Sequence, residues 1–308
     1  MKVIITNLLL LSIVLFFFSC TKKTKTKSII NTKLIPIENN LIVELKFKDL
    51  LSLLPSIFQE DIEKFKKELG IDVKLISSIT IFTKINYIKD FKKFQDKSFY
   101  SLIINGDNLD KNIFQKIPGL LKRFNKEFKT INYSKFSIYK QKEETISLVA
   151  NKLIAAKLYN TKKILDLSKN KGRSIDENKF ISTFKEINTS SFKAIFFIPK
   201  EIKKEIHNYI QLFAFPIIGL TEFINEIKAI VVEANLSKSS IELKFIINSE
   251  TKVTKTLVIE LNKKLPKLLE TTEKRIKDIF TSLKIKQNKN KLIGSIKIPK
   301  SILYRIKF

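Results

Sequence analysis

The sequence predicts an α+β fold of two similar units, each an antiparallel sheet covered on one face by two long helices. Three observations carry this. Short apolar-alternating runs come in neighbouring pairs separated by turn residues, the signature of antiparallel hairpins. Longer stretches with apolar residues at helical spacing lie between those pairs. The order strand, helix, two strands, helix, hairpin runs once from Leu41 and again from Phe192. Laying two amphipathic helices on one face of a sheet is the simplest way to bury both. The repeated order reads as an internal duplication.

Leu41–Phe47 alternates late in its run and predicts a strand. The stretch from Leu50 to Leu69 carries apolar residues three and four apart, and Gly70 stands where a helix would stop. Ile76–Lys84 and Phe99–Ile104 read as strands, followed by a turn at Gly106-Asp107. Leu109, Ile113, Ile117, Leu120 and Phe124 form a helical stripe crossed by Pro118-Gly119. Three strands are expected near Lys135–Tyr139, Thr145–Ala150 and Lys152–Leu158, the last two joined tightly at Asn151-Lys152. Residues 160–188 carry two short helical patterns around a break at Lys169–Arg173. In the second unit, Phe192–Ile198 is a strand and Pro199 opens a long helix. Lys228–Ala234 and Ser240–Ile247 pair about a turn at Asn235–Ser239. A helical stretch over 251–280 leads to a hairpin of Leu283–Lys286 and Lys291–Ile298.

Composition excludes several functions. The chain has 308 residues, 44% of them hydrophobic and 29% charged, which is ordinary for a folded protein. One cysteine cannot close an intrachain disulfide, and with one histidine it cannot build a common zinc site. Six scattered glycines give no phosphate-binding loop. No cofactor is expected. Lysine and arginine total 58 against 30 acids, a formal charge of +28, yet only Arg123, Arg173, Arg275 and Arg305 are arginine. Nucleic-acid binders favour arginine for its bidentate fork, so no nucleic-acid partner is expected. Abundant Lys, Ile, Asn and Phe with scarce Arg and Gly is the pattern of an AT-rich genome. An acidic partner surface or anionic lipid is the functional alternative.

The first twenty residues, MKVIITNLLLLSIVLFFFSC, have one basic residue, an apolar core too short to span a bilayer, and a small residue, Ser19, before Cys20. The sequence then turns polar and basic. Phe17-Phe18-Ser19-Cys20 resembles a bacterial lipobox, and its relaxed form, with Phe17 in place of the usual aliphatic residue, is similar to that of spirochaetal lipoproteins. The resemblance implies cleavage before Cys20, acyl chains on its thiol, and anchoring to a bacterial envelope membrane. A secreted protein and an uncleaved anchor are the alternatives. Residues 1–19 are then a signal peptide and 20–40 a lipidated cysteine with a flexible basic tether. Residues 41–190 and 191–308 are the two units, which resemble the repeated α+β ectodomains of bacterial lipoproteins. The tether's Lys22, Lys23, Lys25, Lys27 and Lys33 are either a solvated spacer or contacts to anionic headgroups.

Candidate sites are few. His207 has Lys203 and Gln211 as its helical neighbours and no carboxylate to tune it as a base. Glu60, Asp61 and Glu63 lie among Lys64, Lys66 and Lys67, which an ion-pair face explains. Glu143-Glu144 falls in a turn. No catalytic residue is assigned, and no enzyme is expected. The stretch from Tyr209 to Phe223, with Leu212, Phe213, Phe215, Ile217, Ile218 and Leu220, lacks lysine and is apolar all round in its centre. It reads as a core helix, as the wall of a cavity for an apolar ligand, or as a contact patch. Pro216 and Gly219 would split it. The predicted function is binding by a membrane-anchored lipoprotein, partner unidentified. The alternative is a carrier of a lipid-like ligand held by this segment.

Overall fold

The computed structural model describes residues 32–46, 76–90, 100–106, 109, 114, 115, 117–119, 127–187, 191–212, 217, 219–236, 240–270 and 282–299. The predicted signal peptide, Cys20, most of the tether and the helix expected over 50–69 lie outside these residues, as do Glu60, Asp61 and Glu63.

Twelve strands form one sheet. They are β1 (Leu41–Lys46), β2 (Ile76–Thr83), β3 (Ser101–Gly106), β4 (Lys129–Tyr133), β5 (Phe136–Gln141), β6 (Glu144–Val149), β7 (Lys152–Lys157), β8 (Phe192–Phe197), β9 (Ile227–Leu236), β10 (Ser240–Ser249), β11 (Lys284–Asn288) and β12 (Lys291–Pro299). Their order is β11-β12-β10-β9-β8-β1-β2-β3-β7-β6-β5-β4. Every neighbouring pair is antiparallel. The mixed α+β class with a large antiparallel sheet is as predicted.

Reading outward from the centre, one half runs β1-β2-β3-β7-β6 and continues through β5 and β4 to the edge, and the other runs β8-β9-β10-β12-β11. In each, the third strand takes the second strand of the closing hairpin. The halves meet through β1 and β8, in register from Leu41 opposite Phe196 to Leu45 opposite Phe192. The sheet therefore runs without a break across the expected boundary at 190/191.

Alternation decides the faces. On β1, Leu41, Val43 and Leu45 join one core with Phe192, Ala194 and Ile202. Ile42 joins another, with Phe82, Ile154, Ile164, Phe184 and Ile195. All six β1 residues are buried, so the sheet is covered on both faces here rather than on one. The second face is covered by α1 (Leu158–Leu167) and α2 (Ile181–Glu186), which lie in the connection between the halves. The first face is covered by α3 (Lys200–Leu212), α4 (Leu220–Glu226) and α5 (Lys255–Glu270). Phe114, which follows Ile113 of the predicted stripe but is not part of it, is helical and stacks on Tyr139 with centroids 4.7 Å apart.

Side-chain clamps tie loops and helices to the sheet. Asn40 Nδ2 donates to the Ile85 carbonyl at 2.6 Å, and the Ile85 N–H returns to Asn40 Oδ1 at 2.7 Å. Asn262 on α5 makes the same two-way contact with Ile285 on β11. The Ile88 N–H donates to Glu205 of α3 at 2.7 Å, linking a first-half loop to a second-half helix.

Candidate functional site

The apolar segment is split as its Pro and Gly predict. Helix α3 ends at Leu212 and α4 begins at Leu220, with Gly219 at φ 77°, a left-handed conformation that glycine adopts without strain. Ile217 and Phe223 are buried together with Val253, Leu257, Leu261, Ile285 and Leu292, and Leu220 packs against that cluster. Tyr209 and Leu212 belong to α3, while Phe213, Phe215 and Ile218 lie outside the described residues. Lys203 Nζ donates from α3 to the Asn225 carbonyl of α4 at 2.6 Å and so links the two helices. Burial pushes its ammonium below the ordinary lysine pKa. His207 is half-buried on α3, and Glu143 sits in the β5–β6 turn as expected. Among the described residues no three His, Cys, Asp or Glu side chains gather to hold a metal, and no helix is long and apolar enough to cross a membrane.

Two features were not anticipated. The first is a row of charges across the sheet face that α1 and α2 cover. Lys244, Glu233, Lys193 and Glu44 stand directly opposite one another on β10, β9, β8 and β1. Lys193 Nζ lies 3.2 Å from Glu44 Oε2, with both side chains almost fully buried, at 2% and 1% exposure. It also donates to the carbonyls of Ile187 at 2.7 Å and Phe184 at 3.3 Å, at the C-terminal end of α2. Cations are favoured there by the free carbonyls of the last turn. Burial holds the Lys193 pKa below the ordinary value, and Glu44 opposes that shift. Lys244 pairs with Glu233 at 2.6 Å where the row nears solvent.

The second is a cluster of lysines on aromatic rings where α1 meets the β4–β5 turn. Lys162 Nζ is 5.3 Å and Lys169 Nζ 5.6 Å from the Tyr133 ring centre. Lys169 and Lys135 stand 5.4 and 5.7 Å from Phe136. Lys163 lies 4.4 Å from Tyr159, which is 67% exposed. The Tyr133 hydroxyl donates to Asp166 at 3.0 Å, and that bond raises the phenol pKa. Lys162 and Lys163 lie on α1 and Lys169 in the turn just after it; the hairpin that completes the cluster is a tertiary neighbour, which the sequence does not reveal.

These features belong to a mixed α+β protein built on one large antiparallel sheet. Among solved structures the chain resembles crystal form I of TP0453, a Treponema pallidum protein. The TM-score is 0.50 at 10% identity, covering 90% of this chain and 96% of that one. Crystal forms III and IV of TP0453 give 0.48 and 0.46 at 11% and 10% identity, covering 91% and 92% of this chain and 98% and 97% of theirs. No protein-family model and no curated protein matches the chain. At such identity the likeness is one of fold.

Proposed function

We propose that the chain is a lipoprotein of a bacterial envelope membrane, anchored by acyl chains on Cys20, whose ectodomain works by binding and not by catalysis. The observation that carries this is the position of the single cysteine, directly after Ser19 at the end of the apolar leader. Acyl chains contribute about 0.8 kcal/mol per buried CH₂, so two or more give stable anchoring. The solved structure of like fold comes from a spirochaete, the group whose lipoboxes the leader resembles. The ionisable side chains in the described core are tied into ion pairs and backbone contacts, as Lys193 is to Glu44 and to the end of α2, which suits a scaffold.

Detergent-phase separation tests the anchor. Wild type should partition into the detergent phase, with an intact mass lacking residues 1–19 and carrying acyl chains. Cys20→Ala should move to the aqueous phase. Wild type found in the aqueous phase without acyl mass overturns the reading.

A further inference from the structure

The chain that leads from Cys20 enters the described fold at one particular place. Thr32–Leu34 form a turn that packs on α1 and on the turn Ile175–Glu177. Ile35 is fully buried, the Ile175 N–H donates to the Ile35 carbonyl at 2.8 Å, and the Ile37 N–H donates to the Arg173 carbonyl at 3.1 Å. Glu38 pairs with Lys163 of α1. Eleven residues, 21–31, separate Cys20 from Thr32, and a chain of that length reaches at most about 40 Å. The entry is therefore stapled beside α1, and a bilayer holding Cys20 stays within that reach of this side of the domain.

The same side carries cations that no described carboxylate neutralises. Lys163 is taken by Glu38, Lys185 by Asp176 and Arg173 by Glu177. Asp166 accepts from the Tyr133 hydroxyl. Lys135, Lys162, Lys169 and Lys179 make no ion pair with a described residue and rest instead on the rings of Tyr133, Phe136 and Phe180. A lysine over a ring keeps its outer N–H donors free for phosphate oxygens. Aromatic bodies with polar tips, such as the exposed Tyr159, suit the headgroup layer.

We propose that the face made by α1 and the β4–β5 turn lies against an anionic bilayer surface, with Lys135, Lys162, Lys169 and Lys179 on lipid phosphates. The inference rests on the lipid-anchored reading, because the anchor is what brings this face to a membrane. It gives the tether's entry point a purpose: an electrostatic contact too weak to hold the domain by itself at physiological salt acts on a domain that is already held nearby.

The test separates the face from the anchor by using the full mature chain with Cys20→Ala, which carries no acyl chains. The probe is vesicle sedimentation at low ionic strength, with phosphatidylcholine vesicles containing phosphatidylglycerol compared with phosphatidylcholine alone. This chain should bind only the anionic vesicles and release near physiological salt, where screening sets in over about 8 Å. Lys135→Gln, Lys162→Gln and Lys169→Gln together should weaken binding at least about tenfold. A control removes the same charge at the far edge of the sheet, as Lys284→Gln, Lys286→Gln and Lys297→Gln, and should stay within about twofold of the parent. Circular dichroism melts of both triples verify folding. If a folded face triple binds like the parent, if the control loses as much, or if the parent ignores anionic vesicles, the proposal fails. None of those outcomes touches the anchor, which the detergent-phase experiment judges separately. As a second measurement, the lipidated chain with Ser134→Cys, labelled with an environment-sensitive dye, should show a blue shift on anionic vesicles; a dye that stays in water overturns the orientation.

Discussion

Lys193 is the residue whose environment departs furthest from what its type leads one to expect. A lysine at 2% side-chain exposure is tolerated only if its charge is met from several sides. Here Glu44 meets it from the neighbouring strand, and the Phe184 and Ile187 carbonyls meet it from above. Removing one partner strands the other, so Lys193→Met should cost about 3–5 kcal/mol in denaturant unfolding. Lys193→Met with Glu44→Leu should recover most of that loss, because an apolar pair of similar volume avoids desolvation altogether. A double variant as unstable as the single one would refute this account of the pair. The pH dependence follows from the same burial. The folded-state pKa of Lys193 lies below the unfolded value of 10.5. In the window between the two, the unfolded chain holds more protons, so the contribution of this residue to stability rises with pH there. The stability of wild type relative to Lys193→Met should therefore increase on going into the alkaline range. The sequence hid this pair. Lys193 and Glu44 are far apart along the chain, and a charged residue in an alternating strand ordinarily faces water.

At the scale of elements, glycine has one clear structural duty in the sheet. Gly294 on β12 stands opposite Phe245 on β10, and the aromatic ring lies over the glycine so closely that a Cβ there would overlap it. Gly294→Ala should force the ring out of place and destabilise by about 1–3 kcal/mol, the usual cost of overpacking. Phe245→Leu in the same chain should relieve part of it. A Gly294→Ala melt equal to wild type would show that the ring moves freely. The element order itself was largely legible. Alternation located β2, short apolar runs located β1, β3 and β8, and the short helical patterns around Lys169–Arg173 located α1 and α2. Strand β4 was missed. Its sequence Lys-Thr-Ile-Asn-Tyr has two apolar residues, and as an edge strand it needs no more. An edge carrying Lys129 at one end of the sheet and Lys284 and Lys286 at the other also resists pairing with further strands. What alternation could not reveal is which helices cover which face. Helices α1 and α2 turned out to cover the side opposite α3, α4 and α5, since only the packed sheet decides that. For the apolar segment, the break at Gly219 was legible in its glycine, while the burial of Ile217 and Phe223 depends on partners from α5, β11 and β12.

At the scale of the whole molecule, the seam between the halves governs how the protein unfolds. Independent domains meet through polar, loosely packed surfaces and are joined by exposed linkers. Here β1 and β8 share a ladder of five register pairs and are packed on both faces. The Ile88 N–H adds a tie to Glu205, and the Lys193–Glu44 pair lies within the seam itself. Neither half can leave without exposing the other's central strand, whose backbone groups would then lack partners. The two halves should thus unfold together. Leu292 on β12 is 2% exposed and lies far from the first half in strand order. Leu292→Ala should cost about 2–5 kcal/mol, the range for leucine truncation in a core. If the sheet is one cooperative body, that loss should appear in amide hydrogen exchange throughout, and the slow amides of β6 and β7 should exchange faster by the same free energy as those of β9 and β10. Faster exchange confined to β9–β12, with β6 and β7 unchanged, would mean that the seam yields first and that the halves are separate folding units despite their shared sheet.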